Sequence, residues 1–104
     1  MEFYIAPAEG RGDLALSRLQ VRAALTKAAI AIDSEQEEVP ASGDRLFWTV
    51  RVRGSDCVLH FQEADGKLVF ATLELSVFDA SDVPPRICNT LEGLGWETDN
   101  ESVG

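Results

Sequence analysis

Three runs of alternating apolar and polar residues, joined by two tight turns, constrain this chain more than any other feature. They are RLFWTVRVR (45–53), CVLHFQE (57–63) and KLVFATLELSVF (67–78). Period-two alternation marks strands with one buried face. Leu46, Trp48, Val50 and Val52 share one face of the first run. Cys57, Leu59 and Phe61 share a face of the second, and Val69, Ala71, Leu73, Leu75 and Val77 a face of the third. Gly54-Ser55 suits a two-residue hairpin loop and aligns Val52 with Cys57, Val50 with Leu59 and Trp48 with Phe61. Ala64-Asp65-Gly66 suits a three-residue loop, which aligns Phe61 with Val69 and Leu59 with Ala71. A one-residue slip would turn polar side chains into the core.

The same registers predict a second, mixed face. Its rows are Phe47, Gln62 and Leu68; Thr49, His60 and Phe70; Arg51, Val58 and Thr72; and Arg53, Asp56 and Glu74. Phe47, Val58, Leu68 and Phe70 are too apolar for free exposure to water. Arg51, Arg53 and His60 are too polar for a dry core. Something is expected to cover part of this face.

Residues 13–32, DLALSRLQVRAALTKAAIAI, read as a long helix, rich in Ala and Leu and free of internal Gly and Pro. Arg11-Gly12-Asp13 spells a tripeptide that adhesion receptors recognise, but Asp13 reads more simply as the cap of this helix. On a wheel, Leu14, Val21, Leu25, Ala28 and Ile32 form one stripe, and Leu16, Leu19, Ala23 and Ile30 a second. Arg18 and Arg22 stand between them. The second stripe needs cover from another helix, a second copy of the chain or a partner.

Residues 33–44 read as a polar loop. Pro84-Pro85 after Ser81 and Asp82 starts a short second helix, with Ile87, Leu91 and Leu94 as its stripe and Gly93 or Gly95 at its end. Residues 2–6 are a candidate fourth strand. The expected fold is α+β, in the order (β)αβββα, with helices on a three-stranded antiparallel meander. Residues 1–96 form the expected domain, and 97–104 a polar acidic tail that frays. Helix, three strands and helix resemble the order in double-stranded RNA-binding domains. The chain is also similar in size, acidity and initial helix–meander order to the small secretion chaperones of bacteria, but no residue motif carries either resemblance over.

Charge narrows function. The 104 residues carry a net charge of −9. Residues 34–44 hold four acids and no base, and 79–104 six acids against Arg86 alone. Direct nucleic-acid binding needs clustered Lys and Arg and is not expected. An acidic chain suits a basic protein partner. Neither a secretory signal nor a membrane-length apolar run is visible, and Cys57 and Cys88 lie far apart, so a cytoplasmic protein is expected. No metal or cofactor motif is present. His60 is the one candidate acid–base group, and Cys57, three residues away on the same strand, points to the other face. Trp48 and Trp96 are read as core.

The reading is a small acidic, non-enzymatic protein-binding module: an inhibitor, a dedicated chaperone or an assembly adaptor. Its expected contact residues are Phe47, Arg51, Arg53, His60, Phe70, Arg18 and Arg22. A homodimer through the second helical stripe is a further expectation. The alternatives are a small enzyme or ligand-binding domain with a pocket near His60, and an acidic mimic of nucleic acid. The mimic requires the acids of 34–44 and 79–101 to form one surface.

Overall fold

The computed structural model describes residues 2–8, 10–40, 45–76 and 81–99. Its elements run β1 (Glu2–Pro7), α1 (Arg18–Lys27), β2 (Ile32–Glu38), β3 (Leu46–Val52), β4 (Val58–Ala64), β5 (Lys67–Glu74), α2 (Val83–Glu92) and β6 (Trp96–Asp99). The fold is α+β. The sheet is wider than a meander: six antiparallel strands in the order β2-β3-β4-β5-β1-β6.

The β3–β4 register is the expected one. Val50 opposes Leu59 and Trp48 opposes Phe61. The β4–β5 register differs by two residues, with Phe61 opposite Ala71 and Leu59 opposite Leu73. The loop is Asp65-Gly66, closed by the pair Ala64–Lys67. Both loop residues have positive φ, 52° and 76°, which is the two-residue turn whose twist matches its strands. That shorter loop alone would invert β5. A bulge at Val69 inserts one residue and restores the phase, so Ala71 and Leu73 still face the core. Leu68, expected on the mixed face, lies before the bulge and is fully buried on the core side.

The long helix is corrected to ten residues. Gly12–Leu14 form a single 3-10 turn, and Leu16 makes an isolated bridge to Leu68. Ser17, not Asp13, caps α1. Its hydroxyl accepts from the Gln20 amide while the Gln20 side chain accepts from the Ser17 amide, a reciprocal capping box. Asp13 instead pairs with Arg11 at 3.1 Å. The helix ends in a Schellman pattern. Ile30 N–H bonds to Leu25 O and Ala29 N–H to Thr26 O, with Ala29 left-handed at φ 61°. Ile32 then starts a strand.

Shortening the helix dissolves its second stripe. Leu16 and Ile30 are buried outside the helix, and only Leu19 and Ala23 remain exposed on it. Val21 and Leu25 are the buried face of α1. Burial of two such side chains contributes about 3–6 kcal/mol.

Both helices pack on the sheet face that carries Ile5, Trp48, Val50, Leu59, Phe61 and Leu73, and α2 adds Val83, Ile87 and Leu91. Trp96 closes one end of this core. Its indole N–H donates to Leu14 O at 2.8 Å, and its ring meets Phe61 edge-on. Trp48 and Trp96 are core residues, as expected. Two segments read as irregular are edge strands: residues 33–38 of the expected loop belong to β2, and residues 97–99 of the expected tail pair with β1. Asn100 onward lies outside the described residues.

Candidate functional site

Alternation leaves one sheet face without a helix. Its central row is Thr49, His60, Thr72 and Tyr4, which are direct cross-strand neighbours. The next row places Phe47, Gln62 and Phe70 together, and the row on the other side places Arg51, Val58 and Glu74 together, continued by Glu2. The neighbour of His60 on β5 is therefore Thr72, not Phe70.

A groove of about 440 Å³ crosses this face. Phe47, Thr49, His60 and Thr72 line its floor; Glu2, Glu38, Glu74 and Pro40 complete its wall. His60 spans it: Nδ1 lies 3.2 Å from the Thr49 hydroxyl and Nε2 3.3 Å from Glu74. Three carboxylates and one imidazole make the groove acidic. A smaller cleft of about 200 Å³ lies farther along the face, lined by Tyr4, Phe70 and Glu97 among others. Tyr4 and Phe70 rings stand 5.9 Å apart.

Of the seven contact residues expected from sequence, four stand together on this face: Phe47, Arg51, His60 and Phe70. Arg53 sits at its hairpin end, paired with Asp33 at 3.4 Å, and both are exposed. Arg18 and Arg22 are on the opposite side of the sheet. Their guanidinium carbons lie 5.4 and 5.3 Å from the Trp48 ring centroid. Arg18 bonds Glu63 and Glu37, and Arg22 bonds Glu35 at 2.6 Å. Trp48 Nε1 also donates to Glu35 at 3.1 Å. Two cations four residues apart repel; three carboxylates offset them here. The exposed Arg51 has no ion pair among the described residues.

Sequence reasoning missed Glu2, Tyr4 and Glu38 as members of the face; it placed Thr72 and Glu74 there, each one row from its position in the sheet. The alternation in EFYIA places Glu2 and Tyr4 opposite Phe3 and Ile5, but nothing local says that β1 lies beside β5. No three His, Cys, Asp or Glu side chains gather as a metal cluster among the described residues. The groove's carboxylates stand around a space instead of converging on a point. Among those residues, no helix is long and apolar enough to cross a membrane.

The Arg22 side chain, with help from the Trp48 indole, holds the Glu35 carboxyl below the usual carboxylate range. A depressed folded-state value means that the ionised form stabilises the fold. That contribution is complete at neutral pH and is lost as pH falls through the folded value. Glu35→Gln is therefore expected to lower stability at pH 7 and to flatten the decline in acid. Urea melts from pH 7 to pH 3 check this; parallel declines for both proteins would show that Glu35 contributes no pH dependence.

Compared with family models, curated proteins and solved structures, the chain finds no match.

Proposed function

We propose that this chain is a small acidic protein-binding module, not an enzyme, and that it meets its partner with the helix-free face of its sheet. The observation that carries the reading is the groove itself: about 440 Å³, with an aromatic floor at Phe47 and carboxylates around it. Half-buried aromatic residues next to polar groups are the composition of binding hot spots. The net charge of −9 favours a basic protein. Phe47, Arg51, His60 and Phe70 are the proposed contacts, with Arg53 at the rim. Arg18 and Arg22 serve the core instead. An inhibitor of a basic toxin, a dedicated chaperone and an assembly adaptor would each use such a face in the same way.

A second reading has a specific observation in its favour. His60 touches both Thr49 and Glu74 inside the groove, an arrangement that a small-ligand site or an enzyme could also use. Nucleic-acid mimicry has less support. Its two acidic segments contribute β2 and β6, which lie at opposite edges of the sheet, about 24 Å apart at ordinary strand spacing. Glu35 and Glu37 are also engaged by arginines. The homodimer keeps only Leu19, 73% exposed, and Ala23 from its original stripe.

The test is capture from native lysate with the tagged protein and with a Phe47→Ala/Phe70→Ala variant, at low and high salt. Retention of a stoichiometric protein partner is expected to fall about tenfold or more in the variant. If that variant is unstable, Thr72→Arg blocks the same face without opening a cavity. Equal retention by all folded forms would remove the face as the docking surface. A His60→Ala protein that keeps its protein partner but loses a small ligand would favour the second reading.

A further inference from the structure

We infer that the groove receives the guanidinium of an arginine presented by an extended segment of the basic partner. This rests on the reading of the helix-free face as the docking surface and adds the chemistry of its occupant. Glu2 and Glu74 are direct partners across β1 and β5. Like charges placed opposite each other on neighbouring strands cost stability. Glu38 faces the same space from β2 and has no ion pair among the described residues. An entering cation would be drawn by all three carboxylates that line the groove, of which Glu74 also bonds His60.

The floor distinguishes among cations. Phe47 lines the groove, with the Thr49 and Thr72 hydroxyls beside it. A flat guanidinium can lie against an aromatic ring while its five N–H donors reach separated oxygen acceptors. A compact ammonium makes fewer of these contacts at once. Because the carboxylates do not converge, no coordination shell for a bare metal ion forms here among the described residues. The groove is open along the sheet, so the side chain can enter from a strand-like segment lying over β3, β4 and β5.

The probe is a capped peptide of alternating arginine and threonine, titrated into the full chain and followed by backbone amide NMR and calorimetry. Controls are the same peptide with citrulline in place of arginine, its lysine counterpart, and spermidine. The expected result is that the Thr49, His60 and Thr72 amides shift. Citrulline should weaken binding about tenfold or more, because it keeps the shape and loses the charge. Glu38→Gln and Glu74→Gln should each weaken the arginine peptide about threefold to fivefold, as exposed ion pairs do. Glu92→Gln, on α2, should change nothing.

Shifts centred elsewhere, equal binding of the citrulline peptide, or unchanged affinity in both groove variants would overturn the inference. So would spermidine matching the peptide. If the peptide fails while Phe47→Ala/Phe70→Ala still loses the native partner, the arginine falls and the docking face stands. If both fail, the proposed function falls with it.

Discussion

Replacement of Trp48 by Ala is expected to lower stability by about 3–5 kcal/mol, the range for loss of a buried aromatic side chain. A domain of this kind has only about 5–15 kcal/mol in total. Trp48 is 1% exposed. Its ring stacks on Phe61 at 5.2 Å, its N–H bonds Glu35, and two arginines lie over it. Removal therefore leaves a cavity and also withdraws the surface on which Arg18 and Arg22 rest. Trp48→Phe keeps an aromatic ring and loses the hydrogen bond, so a cost of about 1–2 kcal/mol is expected. Urea unfolding followed by circular dichroism measures both. A loss below about 1.5 kcal/mol for the alanine variant, at unchanged slope, would mean that the cluster repacks and that Trp48 does not organise it.

A chain starting at residue 8 is expected to lose cooperative folding altogether. β1 is the first element in sequence but an interior strand in space, between β5 and β6. Its removal takes away Ile5, fully buried, and Phe3, packed on the core. It also strips both ladders and leaves β6 without a partner. The milder Ile5→Ala should cost about 2–5 kcal/mol. A broad, non-sigmoidal urea profile is the expected signature of the truncated chain. A sharp transition with native-like circular dichroism would show instead that β2 to β5 and the helices form a complete unit without β1.

These two results separate what is local from what is not. The β3–β4 hairpin was legible because its apolar residues alternate without interruption and its turn preserves their phase. The β5 register was not, because loop length and bulge compensate each other. A shorter turn inverts the strand, a bulge at Val69 inverts it again, and the apolar pattern looks the same from either register. The start of α1 was legible in principle: Ser17 followed three residues later by Gln20 is a capping box. Its end was not, because Ala29 takes the left-handed position that usually belongs to glycine.

The face that carries the candidate site was half visible. Phe47, Arg51, His60 and Phe70 follow from alternation in neighbouring strands. Glu2, Tyr4 and Glu38 join them only through strands whose place in the sheet no local signal encodes. β2 is the clearest case. Its Glu35 and Glu37 face the helix side, opposite Val50 and Trp48. They bond arginines from α1 there, so the strand shows no apolar stripe and reads as a loop.

The sequence by itself determined the class of the fold, the central hairpin, the buried tryptophans and the acidic character of the surface. Each depends on side-chain period or composition, which a chain carries residue by residue. Tertiary structure alone decided that β1 and β6 complete the sheet, that Arg18 and Arg22 lie over Trp48, and that Glu2, Glu38 and Glu74 line one groove with His60. Those outcomes depend on which distant strands pair and which charges find partners across the sheet. Backbone hydrogen bonds are the same for every residue, so they record no preference for one neighbour over another until packing selects it.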